Sequence, residues 1–122
     1  MHTAARLYKA VSEKIASPRS TEADLLVQAA LRLQKVRDNW QSNKISELDE
    51  ALRYNRMLWT IFTSAVTKTE NPLPNEIKQN VANLGIFVMK QSLAILAEPK
   101  PEMISALIDI NRNLAAGLAE PA

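Results

Sequence analysis

The chain is 122 residues long, 47% hydrophobic and 23% charged, the balance of one globular domain, which excludes a disordered tail and leaves no room for two independent cores. It has no cysteine, one histidine, two glycines and 5% aromatic residues. A disulfide framework, a thiolate zinc site, a cysteine nucleophile and a turn-rich β-sandwich are therefore excluded, and an excess of only two positive charges is weak evidence for nucleic acid.

In chain order, Ala4, Leu7, Tyr8, Val11 and Ile15 recur at spacings of three and four and predict a helix over about 3–16. The stretch from Ser17 to Glu22 then offers a cap followed by proline, with Thr21 three residues before Asp24 as in a capping box. A second helix follows over 19–42, with Leu26, Ala29, Ala30, Leu33, Val36 and Trp40 on one stripe, until the polar residues 41–44 make a turn. Ser46 and Asp49 repeat the cap pattern before a third helix, 45–68, whose stripe is Leu48, Leu52, Asn55, Trp59, Phe62 and Val66. Pro72 and Pro74 enforce an extended connector.

The segment 74–97 is the most apolar, with Ile77, Val81, Leu84, Val88, Gln91 and Ile95 on one face and Ile86 and Phe87 widening it. Gly85, costly inside a helix, fits best where another helix comes close. After Pro99 and Pro101, Met103, Leu107, Ile110, Leu114 and Leu118 define a last helix over 101–118, and residues 119–122 should fray. The fold class is all-α, a single-domain bundle of about five helices spanning 1–122, with short connections that favour antiparallel neighbours.

Chemistry is sparse along this chain. There is no glycine-rich phosphate loop, and Glu47, Asp49 and Glu50 suit a helix start better than a metal site. The expectation is no enzyme, no catalytic residue, no metal and no cofactor. No apolar run approaches the roughly 18 residues of a membrane span and no signal-peptide core is present, so a cytoplasmic protein without membrane insertion is expected. Arg32, Lys35 and Arg37, beside Asp38, read as a solvated helix face; together with Arg53, Tyr54 and Arg56 they form the alternative, an RNA site of cations around an aromatic. Trp40, Trp59 and Phe62 fall on apolar stripes and belong to the core.

Asn55 and Asn111 stand out, each inside an apolar helix with an arginine, Arg56 or Arg112, directly after it. A buried amide without partners costs about 1–3 kcal/mol, so each either bridges helices or contacts a partner.

These residues also carry a resemblance. Tyr8, Ser17-Pro18-Arg19 with Glu22, Asn55-Arg56-Met57-Leu58-Trp59, Asn71-Pro72-Leu73-Pro74 and Ile110-Asn111-Arg112-Asn113-Leu114, in this order, resemble the flagellar protein FlaF family of α-proteobacteria. The resemblance implies a cytoplasmic, non-enzymatic factor in flagellum biogenesis, needed for flagellin production or secretion and acting with or against the flagellin translation regulator FlbT. It supplies no catalytic residue. Flagellin and FlbT are the expected partners, held in an apolar groove bordered by the 74–97 helix. Asn55, Arg56, Trp59, Ile86, Phe87, Asn111 and Arg112 are the candidate contacts. The alternative is direct binding of flagellin mRNA through Arg32, Lys35, Arg37, Arg53 and Arg56.

Overall fold

The computed structural model describes residues 18–42 and 45–119. They form α1 (Pro18–Asp38), α2 (Ile45–Val66), α3 (Asn75–Ala97) and α4 (Pro101–Ala119). All-α is the class, 85% helical and without a strand among the described residues. The count is four helices rather than about five, and the helix expected over 3–16 lies outside the described residues.

Pro18 opens α1, where a fixed φ and a missing N–H cost nothing, so Thr21 lies within the first turn instead of capping it. The helix stops at Asp38, four residues before the expected end. There Asn39 folds back, its Nδ2 donating to Lys35 O at 2.9 Å, and Ser42 N–H bonds Asn39 O at 3.0 Å. Trp40 consequently sits in a turn, half-buried against the core rather than on the helix stripe.

The connector after α2 is held by Asn71, whose Nδ2 donates to Ala65 O at 3.2 Å while its Oδ1 accepts the Leu73 N–H at 3.0 Å. That local turn points Leu73 inward, where it is buried.

Each helix packs on its chain neighbours, and α1 closes the ring by lying along α4, the most extensive pairing; α3 and α4 touch least. The core is built from the expected stripes: Leu26 and Leu33 of α1, Leu52, Trp59, Phe62 and Val66 of α2, Val81, Val88 and Ile95 of α3, and Ile104 and Leu107 of α4. Fully buried Ala29 and Ala30 let α1 approach its two neighbours closely.

The burial of α3 is rotated from the expected face. Its inner side is Val81, Gly85, Val88, Ser92 and Ile95, whereas Ile77, Leu84 and Gln91, placed on the same face as Val81 and Val88 by their spacing, are only half-buried on one flank. The cause is the crossing with α2. A Cβ on Gly85 would lie 3.1 Å from Thr63 Oγ1 and 3.7 Å from Trp59 Cε3, so the missing side chain sets how near the two helices come. Gly85→Val should force them apart and cost about 1–3 kcal/mol by overpacking. A thermal melt unchanged by this substitution would contradict the crossing.

Helix α3 is also long enough, and over an 18-residue window with a mean hydropathy of 1.3 apolar enough, to match a membrane span by length and composition. An unbroken apolar run is absent there because Asn80, Asn83 and Lys90 interrupt it, without lowering the average enough to remove the match. One side of the helix is nevertheless spent on the bundle, and the rest leaves Ile86, Phe87 and Leu93 at 57%, 43% and 63% exposure.

Candidate functional site: a polar seam and an apolar groove

Asn55 and Asn111 face each other across the middle of the bundle, both fully buried because both occupy apolar-stripe positions. Asn111 Nδ2 donates to Asn55 Oδ1 at 2.7 Å and to Leu26 O at 3.3 Å, and Asn111 Oδ1 accepts the Trp59 Nε1–H at 2.9 Å. One amide thus ties α4 to α2 and α1, joining the diagonal pair α2 and α4 that make no backbone approach of their own. The Trp59 ring is held from the other side by Phe62, edge-on at 6.0 Å between centroids. Asn55 Nδ2 has no hydrogen-bond partner among the described residues.

This seam separates the candidate contacts. Asn55, Trp59 and Asn111 are internal bridges with no exposed surface to offer a partner, the bridging alternative for the two amides. Arg56 is half-buried, and its Nη1 is buried without a hydrogen-bond partner among the described residues. Arg112 is exposed and donates to Gln34 Oε1 of α1, an interhelix clasp. Ile86 and Phe87 are exposed, as a docking wall requires, but nearly a quarter-turn or more from the buried face of α3.

An apolar groove of about 410 Å³ does lie beside α3, on the flank left open by its rotation. Ile77, Val81 and Leu84 form one wall; Ile110, Leu114 and Leu118 of α4 form the other. Asn80 and Asn113 stand on opposite walls, and Gly117 leaves a gap in the second. No lining residue is charged. Phe87, seven residues after Asn80, is on the groove side two turns further along, whereas Ile86 points to the other flank with Leu93. Near the linked ends of α3 and α4, Gln91 Nε2 donates to Met103 O at 3.2 Å, and the groove lies toward the other ends of the two helices.

The basic residues do not converge. Arg32 stacks over the Tyr54 ring at 4.1 Å, Arg53 pairs with Asp49 at 3.2 Å one turn back, and Arg37 turns toward α4, donating to Ser105 Oγ at 3.2 Å while it also meets Asp38. Lys35 is exposed and Arg56 half-buried, and the set is divided between the α2 side of α1, where Arg32 meets Tyr54, and the α4 side, where Arg37 meets Ser105.

Burial raises the Tyr54 hydroxyl pKa above its usual value, with the Arg32 charge opposing. The unfolded tyrosine, ordinarily near 10, loses its proton first as pH rises, so stability should fall above about pH 10. Tyr54→Phe should flatten that alkaline fall in a melting series and leave stability near neutrality little changed.

The arrangement is that of a small helical bundle with a hydrogen-bonded core and an uncharged groove on one flank. Over residues 4–118 the sequence matches the family described as flagellar protein FlaF, and the chain belongs to that family. No curated protein and no solved structure matches it. Membership places the chain among flagellar proteins, as the motifs from Tyr8 to Leu114 imply.

Proposed function

We propose that this chain is a cytoplasmic, non-enzymatic factor of flagellum biogenesis that promotes flagellin synthesis or secretion by holding an amphipathic helix of flagellin, or of FlbT, in the groove between α3 and α4. The observation that carries the proposal is the groove itself, about 410 Å³ of space walled by six aliphatic side chains and no charge in a chain of a flagellar family. Aliphatic walls reward an apolar helix stripe and give nothing to a phosphate backbone. Flagellin segments awaiting export and a regulator's helix both fit that description, and holding either requires no catalytic group.

The test is calorimetric titration of the purified full chain with flagellin, with FlbT and with a flagellin transcript, each at low and high salt. Groove binding predicts an affinity for one of the two proteins that changes little with salt, together with a negative heat-capacity change. Binding of the transcript alone, weakening steeply as salt is added, would contradict it and favour the basic residues of α1 and α2.

A further inference from the structure

Helix α3 carries a surface that the groove does not use. Its outward positions change character halfway along: Asn75, Glu76, Gln79, Asn80 and Asn83 are exposed in the first half, Ile86, Phe87, Lys90, Leu93, Ala94 and Ala97 in the second. At 3.6 residues per turn the last six all fall within about 60° of Lys90, on the side opposite Val88 and Ile95. Core packing does not account for this composition. The helix has the hydropathy of a membrane span, yet only 28% of the window that reaches it is buried, whereas the core helix of a soluble domain is mostly buried. Contiguous exposed apolar side chains of this kind mark an interaction surface.

We propose that the outer face of α3 from Ile86 to Ala97 is a docking surface for an anionic lipid bilayer, on which the helix lies flat. Charge selects this occupant. After Lys78, Lys90 is the only charged residue of α3, and Glu76, in the first turn, is its only acid. Just past the helix end, exposed Glu98 is paired with Lys100 at 3.4 Å. A negative surface therefore meets no repulsion here: Lys90 rests its methylenes among the apolar side chains and carries its ammonium to the lipid phosphates. Shape agrees with charge. The face is the convex side of a single helix, which the deformable headgroup and acyl boundary covers without a complementary groove. A spanning placement would pull Val81, Val88 and Ile95 out of the core, so the helix lies on the surface. The polar first half of α3 stays in water, and the groove along that half is left free. The inference goes beyond the groove reading and does not depend on it.

Flotation of the full chain with vesicles tests it, using an equimolar mixture of phosphatidylglycerol and phosphatidylcholine beside phosphatidylcholine alone. Wild type should bind the mixed vesicles, and the neutral ones several-fold more weakly. Ile86→Ser combined with Leu93→Ser should weaken binding at least tenfold, and Lys90→Gln about fivefold, the effect of one cation near the surface. All three positions are exposed, so circular dichroism should show each variant folded. A folded wild type that binds neither vesicle, or binding that survives the paired serine substitutions, overturns the inference and leaves the groove reading intact. Equal binding to the two vesicle types also overturns it, because charge then selects nothing. Loss of flagellin or FlbT binding in the serine variant, without vesicle binding by wild type, overturns it in favour of a protein partner on this face.

Discussion

Trp59→Ala should be the most damaging single substitution in the protein, lowering stability by roughly 3–5 kcal/mol. The ring is fully buried, packs edge-on against Phe62 and lies under Gly85 at the α2–α3 crossing. Its removal leaves a cavity between two helices and strands the Asn111 Oδ1 that accepted its N–H. Domains of this size are stable by only about 5–15 kcal/mol, so the variant should unfold near ambient temperature or in low urea. Urea titration followed by circular dichroism at 222 nm measures the loss; a change below about 1 kcal/mol would mean that the ring does not hold the crossing.

Asn111→Leu should come next, and it should cost more than Asn55→Leu although both amides are fully buried and bonded to each other. Replacing Asn111 strands two buried groups, the Trp59 N–H and the Asn55 carbonyl oxygen, and at about 1–3 kcal/mol for each the loss is roughly 2–6 kcal/mol. Replacing Asn55 strands one N–H of Asn111, whose Nδ2 keeps Leu26 O, and it removes the Asn55 Nδ2 that has no partner among the described residues. About 1–2 kcal/mol is expected. In the double variant the two losses should sum to less than their separate values, because the same bond is broken twice. Equal costs, or strict additivity, would contradict the seam.

The sequence makes the helices legible because the apolar period near 3.6 and the prolines agree: starts and ends of α2, α3 and α4 fall within two residues of expectation, and α1 starts within one. The end of α1 is misplaced by four residues because Trp40 extends the stripe although it belongs to a turn held by Asn39. The stripe positions of Asn55 and Asn111 leave both bridging and partner contact open, and the pairing that decides for bridging joins residues 56 apart, which no local pattern encodes. The rotation of α3 is hidden for a different reason. Its surface is apolar on several sides, so hydrophobicity leaves the inward direction undetermined, and the deciding residue, Gly85, carries no hydrophobic signal. Ile77, Leu84 and Leu114 accordingly look like core residues in the sequence and line a groove in the fold.

The groove claim is tested most directly by one paired titration against flagellin and FlbT: Leu114→Glu, which puts a charge on the groove wall, beside Ile86→Glu, which puts the same charge on the opposite flank of α3. Circular dichroism first establishes that both variants are folded, and Phe87→Glu, on the groove side beyond Asn80, serves as an intermediate case. The account predicts that Leu114→Glu loses at least tenfold in affinity, Phe87→Glu loses less, and Ile86→Glu binds as wild type. Wild-type binding by a folded Leu114→Glu, or a loss confined to Ile86→Glu, would contradict it and move the docking surface to the other side of α3.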